Sequence, residues 1–171
     1  SLGSVRREAG LSEAAKVTKI TKEVLDTFMG ADKWPIQAHK HITFRGEAFD
    51  LVSVDGLLEQ PIDLTCLESF DVSYNSLTDL KCVEGSSKFL KEAGCIQGQM
   101  RFQALRVLKA RRNQLEDFVA VLPSLRELDL GHNCLRKLPP TAGFPNLEVL
   151  VVAHNELNGS WTSLTKLDKL R

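Results

Sequence analysis

The chain has 171 residues, 43% hydrophobic and 26% charged, which suits one globular domain or a short repeat array with a continuous core. Its 22 basic and 22 acidic residues cancel, so bulk attraction to nucleic acid or to an anionic membrane is not indicated. No apolar run approaches ~18 residues and no apolar region stands near the start, so neither a membrane span nor a signal peptide is expected. The four cysteines, Cys66, Cys82, Cys95 and Cys134, form no CxxC pair and no paired framework. Free thiols in a reducing compartment are expected.

Residues 1–10 are small and charged and read as a flexible N-terminus. Residues 11–38 read as a helical N-terminal cap. Val17, Ile20, Val24 and Phe28 fall on one helical face. Thr21 stands as an N-cap, with Ile20 and Leu25 placed to close a hydrophobic staple over it. Gly30 is placed to stop the helix. The pattern predicts a helix over Lys22–Met29 and a second one upstream. Its task is to cover the open end of whatever follows; the functional alternative is an amphipathic helix that binds a partner.

From residue 39 to 171 one spacing recurs. Leu67, Phe70, Val72, Asn75 and Leu77 set it out, and Leu105, Leu108, Ala110, Asn113 and Leu115 repeat it. Leu125, Leu128, Leu130, Asn133 and Leu135 follow, then Leu147, Leu150, Val152, Asn155 and Leu157. A degenerate copy comes first, Ile42, Phe44, Glu47 and Phe49, with Glu47 standing where Asn is expected. The middle pair of each copy alternates with period two, so both side chains point inward from a short strand. The Asn follows where the chain turns, and its amide can satisfy backbone groups that the turn leaves unpaired. Asn75, Asn113, Asn133 and Asn155 are therefore expected to be buried and bonded to backbone. One such unit cannot bury its own apolar face, so the copies must stack.

The interval from Asn75 to Asn113 is nearly twice the two that follow it, which marks an insertion at 82–103. Within it, residues 86–94 read as a short helix, on a tolerated surface excursion or a specificity loop. Pro139, Pro140 and Pro145 hold a later return loop extended. Leu167 and Leu170 open a truncated sixth copy. The chain then stops in mid-strand, as expected of a fragment of a longer protein or of an end covered by something else.

The pattern L-x-x-L-x-L-x-x-N-x-L is the template of leucine-rich repeats. Over about Ile42 to Arg171 the chain resembles the intracellular class typified by the nuclear regulator of protein phosphatase 1, the U2 small nuclear ribonucleoprotein A-prime protein and the leucine-rich axonemal dynein light chain. Leu122 to Arg171 is also similar to the repeats of X-ray radiation resistance-associated and related ciliary proteins. The resemblance implies an α/β leucine-rich-repeat solenoid: a parallel concave sheet, an irregular or helical convex side and an N-terminal helical cap. It implies a cytoplasmic protein, with cilium or nucleus as further compartments. The Glu47 copy, the insertion and the missing C-terminal cap depart from the family pattern.

In that register, residues beside the strand leucines form columns across the concave face. Gly46, Tyr74, Arg112, His132 and His154 make one, and Arg45, Ser73, Arg111, Gly131 and Ala153 its neighbour. Thr43, Asp71, Lys109, Asp129 and Val151 make the strand centre, with His41, Ser69, Val107, Glu127 and Val149 beyond. The face thus has a basic centre at Lys109, Arg111 and Arg112 between Asp71 and Asp129. The expected partner-binding residues are Tyr74, Lys109, Arg111, Arg112, Asp129, His132, Val151 and His154, since Tyr and Arg are enriched at binding hot spots. His132 and His154 lie about 5 Å apart by strand spacing, but no third ligand completes a metal site. No nucleophile–base pair or phosphate loop appears, so no cofactor, small-molecule substrate or catalytic residue is expected. The reading is a non-catalytic scaffold that binds another protein. A ribonucleoprotein component using the basic centre, or the repeat arm of a larger enzyme, are the alternatives.

Overall fold

The computed structural model describes residues 16–17, 20–29, 39–46, 50–60, 62–84, 102–159, 161, 164 and 168–170. The architecture is an α/β repeat fold. Strands β2 (His41–Thr43), β4 (Ser69–Asp71), β5 (Val107–Lys109), β6 (Glu127–Asp129) and β7 (Val149–Val151) form a five-stranded sheet in chain order. Every pairing is parallel, and the register aligns His41, Ser69, Val107, Glu127 and Val149 in one row. Thr43, Asp71, Lys109, Asp129 and Val151 make the next-but-one row, as the repeat spacing predicts. Between them Ile42, Phe70, Leu108 and Leu128 point into the core and are buried, while their neighbours on each strand face outward. The second inward residue of each pair, Phe44, Val72, Ala110 and Leu130, lies one position past the strand end and is buried as well.

The core runs unbroken along the array. Leu67, Leu77, Leu105, Leu115, Leu125, Leu130, Leu135 and Leu147 are all buried in one cluster. Phe70 lies edge-on to Phe44 and stacks with Phe102, and Phe118 stacks with Phe144 at 6.0 Å between ring centroids. Leu150 on β7 is only partly buried, because among the described residues no strand pairs with the far edge of β7.

Four asparagines tie each copy to the one before. Asn133 Nδ2 donates to the carbonyl oxygens of Leu130 and Ala110, at 3.0 and 2.9 Å, while its Oδ1 accepts the Leu115 N–H. Asn113 does the same with Ala110, Val72 and Leu77, and Asn75 with Val72, Phe44 and Leu51. Asn155 repeats the pattern with Val152, Leu130 and Leu135. The first three are buried as expected; Asn155 is not. It is half-buried, since it stands beside the edge strand, with no further copy packed over it among the described residues.

Asn75 and Asn113 also revise the first repeat. The N–H groups of Leu51 and Leu77 are held alike by asparagine Oδ1 atoms, and their carbonyls alike accept the N–H groups of Ser76 and Gln114. Leu51, rather than Phe49, therefore fills the position of Leu77. Glu47 and Phe49 lie outside the described residues. Gly46 is set by close approach: a Cβ there would collide with the Tyr74 carbonyl oxygen.

At the N-terminal side, helix α1 spans Lys22–Met29, as its spacing predicts, and Thr21 Oγ1 accepts the Val24 N–H at 3.5 Å. Ile20, Val24 and Leu25 are buried in the same core cluster; Gly30 and the Phe28 side chain lie outside the described residues. Upstream, the expected second helix is replaced at Lys16–Val17 by strand β1, which pairs in parallel with β3 (Asp50–Leu51). Two backbone edges meet there, and a β-branched Val suits a ladder better than a helix. Within the expected insertion, Lys81–Glu84 forms a short helix, α2. The helix expected over 86–94 lies outside the described residues.

Candidate functional site

The outward face of the sheet continues past the strand ends, because the interstrand hydrogen bonds continue. The N–H groups of Gly46, Tyr74, Arg112 and His132 donate to the carbonyls of Ser73, Arg111, Gly131 and Ala153, at 2.8 to 3.2 Å. This ladder brings the column Gly46, Tyr74, Arg112, His132 and His154 into line as the sequence spacing predicts. What the spacing did not reveal is the backbone conformation. Tyr74, Arg112, His132 and His154 have φ of 62°, 55°, 55° and 56°, the left-handed region that L residues adopt at a cost of about 1–2 kcal/mol each. The asparagine after each one braces the turn, its Nδ2 donating to the carbonyl three residues earlier and to a carbonyl of the preceding copy.

The side chains of this row stack in two groups. The Tyr74 ring, 40% exposed, has the guanidinium of Arg112 at 5.5 Å from its centroid and that of Arg45 at 4.7 Å. Arg45 comes from the preceding copy and was not among the expected binding residues. Its place one position before Gly46 was the available signal, since a long side chain there reaches the next copy's ring. The imidazoles of His132 and His154 stack at 4.1 Å. Partial burial, then the neighbouring His154, Arg111 and Arg112, pull the His132 pKa below the ordinary imidazole value, against Asp129. Among the described residues no group of three or more His, Cys, Asp or Glu is placed to hold a metal ion.

The strand-centre row is more nearly neutral than the expected basic centre. Lys109 Nζ pairs with Glu127 at 3.1 Å. Asp71 and Asp129 each turn one carboxylate oxygen back to accept an N–H, from Ser73 and Gly131. Arg111 is half-buried, and its N–H donates to Ser73 Oγ. Val149 is exposed and Val151 half-buried at the edge strand, where Val151 Cγ1 faces the Gly131 backbone. Lys109, Asp129 and Val151 are thus aligned across one row, while Tyr74, Arg112, His132 and His154 form the other. A separate ladder of charges, Lys40–Glu68–Arg106 and Arg126–Glu148, lies where the strands begin.

Residues 123–171 match the family model for leucine-rich repeats, in two copies. Residues 123–171 carry leucine-rich repeats. The chain is similar to Toll-like receptor 2 type-2 of Gallus gallus, 43% identical over 54 residues, which is 32% of this chain and 7% of that protein. Toll-like receptor 2 of Bos taurus is 36% identical over 56 residues, 33% of this chain and 7% of the relative. The chain spans about 7% of the length of these curated relatives. Among the described residues no helix is long and apolar enough to cross a membrane.

Proposed function

We propose that this chain is a non-catalytic protein-interaction scaffold whose outward sheet face is the binding surface. In this reading the sheet lines the concave side of a curved solenoid of repeats at 39–171, the segment around α1 caps its first copy, and the 82–103 stretch is a surface insertion. The observation that carries the reading is the row of Tyr74, Arg112, His132 and His154, all in left-handed backbone and all in register. A backbone fixed in four sparsely populated conformations presents its side chains rigidly, so binding costs little ordering entropy. Tyr and Arg add broad contact area and directional donors. Lys109, Arg111, Asp129 and Val151 extend the surface across the strands. The Lys109–Glu127 pair weighs against a ribonucleoprotein reading of the basic centre. A cytoplasmic setting, with cilium or nucleus beside it, is the proposed location, supported by the free thiols of Cys66, Cys82 and Cys134.

The test is affinity capture from the native cell with the purified chain, repeated with Arg112→Glu, Tyr74→Ala and a deletion within 85–101. Loss of one protein with both point variants, at more than about 1 kcal/mol each, and its retention by the deletion is the expected result. Retention by both point variants with loss on deletion would move the site to the insertion.

A further inference from the structure

We propose that the rim of this face takes an acidic protein segment, a run of Asp and Glu side chains, through Arg45, Arg111 and Arg112. The inference rests on the protein-binding reading above and names the chemistry of the partner. It starts from an imbalance of charge. Along the strands, Lys109 is answered by Glu127, and the Asp71 and Asp129 carboxylates each accept a backbone N–H. Past the strand ends the charges are not answered: among the described residues, no carboxylate forms an ion pair with Arg45, Arg111 or Arg112.

The geometry orients these cations for carboxylates. Arg45 and Arg112 lie over the Tyr74 ring, from the copies on either side of it. A guanidinium drawn to a ring face makes no hydrogen bond there, so its N–H donors stay available to a bidentate acceptor. Arg111 stands one residue before Arg112, with its backbone tied to Ser73. His132 and His154 continue the row on the next two copies. His132 is faced by His154, Arg111, Arg112 and Asp129, and partial desolvation followed by the neighbouring positive charges lowers its pKa, so an arriving carboxylate would offset the repulsive part of that shift. Binding and His132 protonation should therefore favour each other reciprocally. The acidic groups Asp71, Glu127 and Asp129 on the adjoining rows oppose a wide polyphosphate helix that would cross the strands, whereas a narrow acidic segment can follow the rim past the strand ends.

The experiment uses the full chain and a fluorescein-labelled oligoglutamate peptide, followed by anisotropy, with oligoserine and a short RNA as comparisons. Oligoglutamate should bind, more weakly as salt rises. Arg45→Glu, Arg111→Glu and Arg112→Glu should each lower its affinity about ten-fold, and Lys137→Glu, which lies on none of these rows, should leave it unchanged. Arg112→Gly provides a second variant that keeps the left-handed turn. Saturating peptide should raise the His132 titration midpoint in NMR. Equal loss with Lys137→Glu, indifference to the arginine variants, or tighter binding of the RNA at the same site would each overturn the acidic-segment proposal. If the peptide fails while native partner capture still needs Arg112, the scaffold reading stands and this one falls. If the peptide binds at the arginines while capture ignores Arg112, the assignment of the native partner to this face falls instead.

Discussion

His132 and His154 stack their imidazoles with centroids 4.1 Å apart and planes 20° apart, each held by a left-handed turn of its own repeat. Partial desolvation and the neighbouring His154, Arg111 and Arg112 depress the His132 pKa in the folded chain. The unfolded chain therefore takes up this proton more readily, and the contribution to stability is present above the ordinary imidazole value and lost as pH falls from there through the depressed folded value. Thermal melts should show the chain losing stability on acidification through that range, with the loss reduced in His132→Gln. An NMR titration should place the His132 midpoint below that of a free histidine. A midpoint above it would contradict the stacking environment.

Asn133→Leu removes the acceptor of the Leu115 N–H and the donor to Ala110 and Leu130 in one step. Each buried group left unpaired costs about 1–3 kcal/mol. Asn155→Leu deletes an equivalent set at a half-buried turn, where water can replace part of it. Denaturant unfolding should rank Asn133→Leu as clearly the more damaging. Equal costs would mean that the ladder does not owe its strength to burial.

Arg112→Gly separates fold from function at one position. Glycine adopts positive φ without the penalty an L side chain pays there, while giving up about 0.4–1 kcal/mol through the freer unfolded chain. The two effects nearly cancel, so the melting temperature should stay level or rise, while partner binding falls with the lost guanidinium. A large drop in stability would show that Arg112 packs for the fold instead of serving the face.

The repeat copies were legible because their leucines and asparagines recur with a spacing that only stacked turns explain. That spacing alone gave the strand register, the rows of outward residues and the four backbone-bonded asparagines, three of which are buried as expected. The α1 boundaries were legible from the Thr21 cap and the apolar face. The β1–β3 pair was not, since two-residue strands carry no periodicity and Val17 fits a helical face as well as a ladder. Leu51 was missed in favour of Phe49 because the first copy has Glu47 where an asparagine would mark the turn. The left-handed turns were hidden for a different reason: Tyr and Arg carry no preference for that conformation, and the enrichment of His there is too weak to mark a turn by itself. Arg45 escaped because its contact lies between copies rather than within one.

Tyr74 is the chain's single tyrosine, so its chemistry reports on one place. Hydroxyl-radical footprinting of the chain, free and with its captured partner, tests the central claim most directly. The binding face predicts strong protection of Tyr74 and His154 in the complex, with Trp161 and Val121, exposed elsewhere, modified as before. Unchanged modification of Tyr74 alongside protection of Val119 and Val121 would contradict it.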